Sequence, residues 1–312
     1  MTMLSWEQFT NYAAELKIKP EYVAQTKEFF EKLDPVVFDR IAGSENIDRA
    51  ELMRLFPDKG YMRFLFILAV ASLPEMQQVY REKGFSSQMM DDIRPDLDIW
   101  LDKFAADYGF AGLDMRIYSW VRSVRTGSII QFGRLQCNYD HNFSGKVAFF
   151  RNTDGSLRME KSEKHNDEAL FSYGDPAINL HIPASGPLKR EMCIDSLRRM
   201  KAFFDEKRPE FKYKAVVCYS WILDPVFTEI MPGTNLADFQ ALGHIYPLEG
   251  LDQTEEVIWR VFNIPGGTPA DRDRFPQDTG MRKAVAEYLA RGGTFCEHGL
   301  VILRDELSGL LI

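Results

Sequence analysis

Residues 177–224 constrain the fold of this 312-residue chain more than any other stretch, because they read in succession as strand, glycine-bearing loop, helix and strand. In residues 177–182, Ile178, Leu180 and Ile182 alternate with Ala177, Asn179 and His181, and Pro183 stops the run. That alternation is the period of a half-buried strand. Gly186 then suits a helix N-cap and Pro187 the first helical position, where a missing amide hydrogen costs nothing. Cys193, Leu197, Met200 and Phe204 recur at steps of four, three and four through residues 188–207, so a helix with one apolar stripe is expected there. Residues 213–223, rich in β-branched and aromatic side chains, predict a second strand that ends at Asp224-Pro225.

A strand passing through a helix into another strand makes a right-handed crossover, which places the loop at Gly186 at the carboxyl end of the first strand, where ligands collect. The first turn of the helix carries Lys189 and Arg190, although the positive end of a helix dipole favours acidic side chains. An anion in the loop resolves the conflict, since free amides, dipole and two cations would converge on a phosphate. The alternative is that both are ordinary solvated surface cations.

Leu180-His181-Ile182-Pro183 through Gly186-Pro187, then Cys218-Tyr219-Ser220-Trp221-Ile222-Leu223-Asp224-Pro225, then Pro232-Gly233-Thr234-Asn235, resemble the GNAT-like bacterial acyltransferases that carry a separate helical N-terminal domain. The resemblance spans residues 127–262. It implies an α/β fold: a helical domain over residues 1–120, then a GNAT-like mixed sheet flanked by helices over residues 121–312. It also implies an N-acyltransferase that moves an acyl group from acetyl-CoA or another acyl-CoA to a small amine, with no metal. By the same resemblance Ile182, Ser185, Gly186, Leu188, Lys189 and Arg190 would hold the coenzyme. The family's glycine-rich loop is reduced here to Gly186. His181 is the expected base, since imidazole has the basicity to take a proton from an ammonium near neutral pH; the alternative is a structural histidine that donates to a carbonyl. Phe239 stands where the family places its acidic tyrosine, so Tyr246 or Tyr219 is the expected acid, unless both simply bury their rings.

Residues 5–110 show helical periodicity nearly throughout. Ser5 with Gln8 forms a capping-box signature and Pro20 can open the next helix. Further helices are expected over residues 36–41, 49–55, 61–73, 75–83 and 95–108, and the apolar run 64–73, too short for a membrane span, reads as a buried core helix. The periodicity shifts over residues 113–127. Residues 128–138 and 146–151 predict strands, and Thr153-Asp154-Gly155-Ser156 a hairpin turn into residues 157–161, whereas 162–175 read as loop. Beyond Pro225, residues 235–243 predict a helix, 255–262 a strand, 265–280 a loop, 281–290 a helix ended by Gly292-Gly293, and 300–303 a strand that closes the sheet.

The 45% apolar content gives material for a sizeable core, and a formal net charge of −8 argues against general nucleic-acid binding. Cys137, Cys193, Cys218 and Cys296 are widely scattered, which fits a reducing, cytoplasmic setting better than a disulfide framework, and no secretory pattern or membrane span is expected. Cys296-Glu297-His298 lacks a second ligand cluster and reads as a turn rather than a zinc site. Two other functions remain open at this stage: a non-catalytic module that binds a CoA-like or phosphorylated metabolite, and a thiol-dependent hydrolase using Cys218 with His181.

Overall fold

The computed structural model describes residues 2–44 and 47–310. The chain forms two compact units, one comprising residues 1–131 and 183–185, the other residues 132–182 and 186–312.

The first unit is helical, with α1 Trp6–Glu15, α2 Pro20–Glu31, α3 Pro35–Ala42, α4 Arg49–Leu55, α5 Gly60–Ala71, α6 Leu73–Glu82, α7 Ser87–Tyr108 and α8 Met115–Arg125. Local signals set its helix starts. Ser5 and Gln8 form a reciprocal capping box, Pro20 stands in the first turn of α2, and Asp34, Asp48 and Asp114 each accept a first-turn amide. The centre is α5, where Phe64, Leu65, Phe66, Ile67 and Leu68 are almost wholly buried; an all-round apolar helix has no wet face and must be wrapped by others. Two expectations change. Helix α7 begins eight residues before Pro95 and runs through it, because Met89 and Ile93 on one side and Leu101 and Phe104 on the other are all buried and hold both halves. The shift of periodicity after residue 113 is a further amphipathic helix, α8. Within this unit the Ala184 amide donates to the buried carboxylate of Asp96, 2.9 Å away.

Apart from residues 129–131 of β1, the second unit carries a six-stranded mixed sheet in the order β1-β2-β5-β6-β8-β7, from β1 Ile129–Phe132, β2 Leu135–Asn142, β5 Pro176–His181, β6 Ala215–Ser220, β7 His244–Asp252 and β8 Cys296–Leu303. Strands β5 and β6 run parallel, joined by α9 Arg190–Lys207, as the crossover unit requires. Strands β3 Val147–Arg151 and β4 Leu157–Lys161 make a separate ribbon instead of extending the sheet. Helices α10 Val226–Ile230, α11 Asn235–Gln240, α12 Thr254–Phe262 and α13 Gly280–Ala290 surround a second apolar cluster, and α14 Arg304–Leu310 follows β8.

Four sequence expectations need correcting in this unit. Residues 128–138 are a hairpin, not one strand: Gly133 has φ +62°, open to glycine, and turns β1 back as β2. Residues 255–262 are helical, because Val257, Ile258, Val261 and Phe262 are buried at helical spacing and Glu255 and Glu256 suit the N-terminal dipole. The second strand of the crossover unit stops at Ser220, and residues 221–223 tighten into a 3₁₀ turn. Strand β8 lies inside the sheet between β6 and β7, so the edge is β7, a segment with no clean alternation around Pro247. Among the described residues no helix is long and apolar enough to cross a membrane.

Candidate active site

The loop between β5 and α9 departs from the expected cap in an instructive way. Helix α9 starts at Arg190 with Lys189 as its extended N-cap, and no side chain caps it. Gly186 instead takes φ +70°, a left-handed conformation that an L side chain rarely adopts, with open space where a Cβ would be. The cause is Arg134 in the β1–β2 turn, 8% exposed, whose Nε donates to the Pro187 carbonyl at 2.9 Å and Nη2 to the Gly186 carbonyl at 3.2 Å. Ser196 of α9 fixes that turn in its own right, its Oγ accepting from the Arg134 and Leu135 amides and donating to Met192. With the loop carbonyls held by a guanidinium, a helical Gly186-Pro187 start is excluded.

The amides of Gly186, Leu188, Lys189 and Arg190 donate to no protein acceptor among the described residues. Lys189 and Arg190 are exposed beside them, and Arg190 Nη1 reaches only the Asp238 carbonyl at 3.5 Å. Leu188 is half-buried against the helical cluster of this unit, and Ile182 is half-buried just past β5. Ser185 groups with the helical unit. Unpaired first-turn amides, the dipole and adjacent cations form the set that binds phosphate at helix starts.

Register places the proposed chemical groups on one face of the sheet. Pairing of β5 with β6 runs from Ala177–Ala215 to Leu180–Cys218, while β6 remains paired with β8 through Ser220. Thus the parallel ladder ends one residue before His181, and the carboxyl ends of β5 and β6 are released from each other. His181, Asn179 and Asn138 share the face opposite Ile178 and Leu180. The Asn138 Oδ1 sits 2.7 Å from His181 Nε2 and 3.1 Å from Asn179 Nδ2, which donates to it. An amide oxygen can only accept, so Nε2 carries the hydrogen and Nδ1 the lone pair. Burial, aided by nearby His141, pushes the His181 pKa down to about 4. His181 is therefore a neutral imidazole of fixed tautomer at physiological pH.

Tyr219 of β6 and Tyr246 of β7 both stand opposite Gly299 of β8, so the two rings flank one glycine across three neighbouring strands. A Cβ on Gly299 would lie 2.1 Å from Tyr246 Cζ, which explains the glycine: the ring occupies that space. Tyr246 is enclosed by Phe143 and Phe149, and Tyr219 meets His141 edge to face at 6.3 Å. Burial raises both phenol pKa values, so both hydroxyls stay protonated. The two hydroxyls influence each other electrostatically, yet neither has a partner in good hydrogen-bonding geometry. A buried phenol without a partner is a donor in reserve.

Cys218 does not join this group. It alternates to the other face with Leu180, is 1% exposed, and burial pushes its thiol up to about 12, so a thiolate paired with His181 is excluded by placement and by charge. Asp224, at the end of the expected strand, accepts from the Cys296 and Val226 amides and ties β6 to β8. No cluster of three or more metal-ligating side chains occurs among the described residues. Sequence reasoning missed Arg134, Asn138 and His141. Arg134 follows a hairpin glycine, a signal visible only if residues 128–138 are split; Asn138 and His141 sat in a polar run taken as the strand's end.

Residues 129–301 match the family described as GNAT-like C-terminal domain. Among curated proteins no significant sequence match is found. The fold is similar to that of a solved acyltransferase in complex with decanoyl-CoA, at 20% identity and TM-score 0.68 over 95% of this chain and 88% of that one. It is also similar to that of an acyltransferase in complex with CoA and 10C-Teicoplanin, at 17% identity and TM-score 0.69 over 97% of this chain and 89% of that one.

Proposed function

We infer the reaction from one premise: the chain belongs to the family of the GNAT-like C-terminal domain and is an acyltransferase of the GNAT type. The donor is an acyl-CoA. The observation that carries this reading is the helix start at Gly186–Arg190, whose unengaged amides and two exposed cations are suited to a diphosphate. Its carbonyls are held back by Arg134, so the turn presents amides and not oxygens.

The acyl carbonyl would then lie at the released carboxyl ends of β5 and β6. A neutral amine attacks the thioester carbon, the tetrahedral intermediate collapses, and the carbon–sulfur bond breaks to leave an amide and free CoA. The amine's proton passes to His181 Nδ1, Tyr219 protonates the departing sulfur so that CoA leaves as the thiol, and Tyr219 regains a proton from solvent. We assign this to Tyr219 over Tyr246 because Tyr219 is half-buried on β6, beside β5, whereas Tyr246 is 1% exposed in the aromatic cluster. An imidazole of pKa near 4 is a poor reservoir for a proton, so His181 serves as an acceptor during the step and passes the proton to solvent.

The resemblance noted in the sequence implies acetyl-CoA or another acyl-CoA as donor and a small amine as acceptor. The decanoyl-CoA and octanoyl-CoA carried by solved proteins of similar fold favour a donor of medium chain length, and we propose that range. The test is release of free thiol from acetyl-, octanoyl- and decanoyl-CoA against a panel of primary amines. Tyr219→Phe should lower kcat by ten-fold or more with KM for acyl-CoA unchanged. Equal turnover by Tyr219→Phe and the parent removes Tyr219 from the chemistry.

A further inference from the structure

The ribbon of β3 and β4 leaves one long side of β4 open. Its hydrogen bonds fall on alternate residues: the Asn152 amide donates to the Ser156 carbonyl at 2.8 Å and the Ser162 amide to the Lys146 carbonyl at 3.0 Å, so the bonded pairs are the even-numbered ones. Phe149, opposite Met159, turns its backbone away from β4: its amide donates to the Phe171 carbonyl and its carbonyl accepts from the Leu170 amide, each at 2.8 Å. By the same alternation Leu157, Met159 and Lys161 turn their amides and carbonyls outward, where no other strand among the described residues pairs with them. Residues 158–161 are exposed and lie on both faces of the strand, with Met159 at 45%. Strand β4 therefore overhangs its unit, and a neighbouring strand has room beside it.

Open edges are commonly guarded by charge, and this one carries Arg158, Glu160 and Lys161. The order of the charges makes the guard selective. An antiparallel copy of β4 centred on Met159 sets Arg158 opposite the partner's Glu160 and Glu160 opposite the partner's Arg158. Both are non-hydrogen-bonded positions, where side chains come closest across strands. The two Met159 residues form the central bonded pair, and Leu157 stands opposite the partner's Lys161. A slip of two residues sets Arg158 against the partner's Arg158, or Glu160 against the partner's Glu160, and a slip of one turns outward backbone groups against inward ones. One register alone is complementary throughout.

Within the chain Arg158 contacts Glu160 and lies over the Phe150 ring at 4.3 Å, and Lys161 reaches Glu249 at 2.5 Å. A second copy need break none of these contacts. A guanidinium has five N–H groups and a carboxylate two accepting oxygens, so the two internal pairs join into a square of alternating charge. Charge here selects partner and register, while the outward backbone groups and the exposed Met159 side chains supply the attraction.

We propose that β4 is a dimerisation edge for a second copy of this chain, the two strands pairing antiparallel about a two-fold axis at Met159 and extending the ribbon to four strands. Such a contact is isologous and closes on itself. It stands apart from the coenzyme loop and from the transfer reaction.

The experiment is sedimentation velocity of the full chain from about 1 to about 500 µM, because a contact between two short strands belongs to the weak class of interfaces. The parent should show a reversible monomer–dimer equilibrium in that range. Arg158→Glu and Glu160→Arg each set like charges against each other across the axis, and each should weaken the dimer at least ten-fold. Mixing those two variants should restore dimers, as should both reversals in one chain, because each brings opposite charges back into register. Met159→Pro removes the central donor at an edge position that tolerates proline, and should abolish dimers in a protein with the parent's circular dichroism. A parent that is monomeric throughout leaves the edge to solvent or to a strand of another protein, and either overturns the assignment. Dimers that survive Met159→Pro and both charge reversals, or single variants that stay monomeric when mixed, overturn it as well.

Discussion

Replacing Arg134 by Met keeps most of the buried stem and removes the guanidinium that holds the Gly186 turn. The hydrogen bonds at 2.9 Å to Pro187 and 3.2 Å to Gly186 are lost. Bonds from a charged donor are each worth about 1.5–3 kcal/mol in a buried setting. Gly186 and Pro187 are exposed, so water can take over their carbonyls, and the net cost falls to about 2 kcal/mol for the pair. If the held turn is the one that binds the diphosphate, that cost appears in affinity, as a rise of about thirty-fold in the dissociation constant for CoA. Arg134→Lys restores a charge but not the two-pronged geometry, and should recover only part of the loss. The assay is isothermal titration with CoA, together with steady-state kinetics. KM for acyl-CoA should rise by at least ten-fold while kcat at saturation stays within about two-fold, because Arg134 engages the loop carbonyls and has no part in the proposed proton transfers. An unchanged KM in a variant that keeps its near-ultraviolet circular dichroism would refute the argument that Arg134 sets the turn.

Other consequences follow from the sheet. His181 is neutral down to about pH 4, whereas an unfolded histidine protonates near pH 6.5. Between those values the unfolded chain binds the extra proton, so the contribution of this group to stability is fully present above pH 6.5 and is lost as pH falls toward 4. His181→Asn should flatten that part of the pH–stability curve in urea titrations; an identical slope in parent and variant would place the acid sensitivity elsewhere. Gly299→Ala puts a methyl group against Tyr246 and should cost about 1–3 kcal/mol, read as a lower thermal midpoint, with Tyr246→Ala in the same chain relieving the collision. An undisturbed midpoint in Gly299→Ala would mean that Tyr246 moves freely. Cys218→Ala should leave turnover within about two-fold, since a fully buried, protonated thiol takes no part, and native protein should resist alkylation there. Loss of turnover in a folded Cys218→Ala variant would bring the cysteine back.

The crossover unit was legible because its signals are local and agree with one another. Alternation in residues 177–182, the apolar stripe of α9 and the β-branched run before Ser220 each select one element. Strands β7 and β8 carry no such consensus. Pro247 interrupts β7, and β8 holds Gly299 because a ring from a distant strand fills its place, a fact no nearby residue reports. Helix α12 misled because Val, Ile and Trp favour strands in isolation, while burial at helical spacing decided the outcome. The loop we propose for the coenzyme was marked in the sequence by Gly186 and the misplaced cations Lys189 and Arg190. Arg134, which shapes it, comes from 52 residues earlier and only the fold brings it there. Of the proposed chemical groups, His181 was visible from its place on the strand, but its tautomer depends on Asn138, which a polar run concealed.

The central claim is that the turn at Gly186 binds the diphosphate of coenzyme A, and the most direct test is calorimetry of CoA with the parent chain and with the Lys189→Ala, Arg190→Ala double variant. The account predicts saturable one-to-one binding by the parent that weakens as salt is raised, and a loss of at least ten-fold in the double variant. Absence of saturable binding at millimolar CoA, or equal affinity in the two proteins, would contradict it.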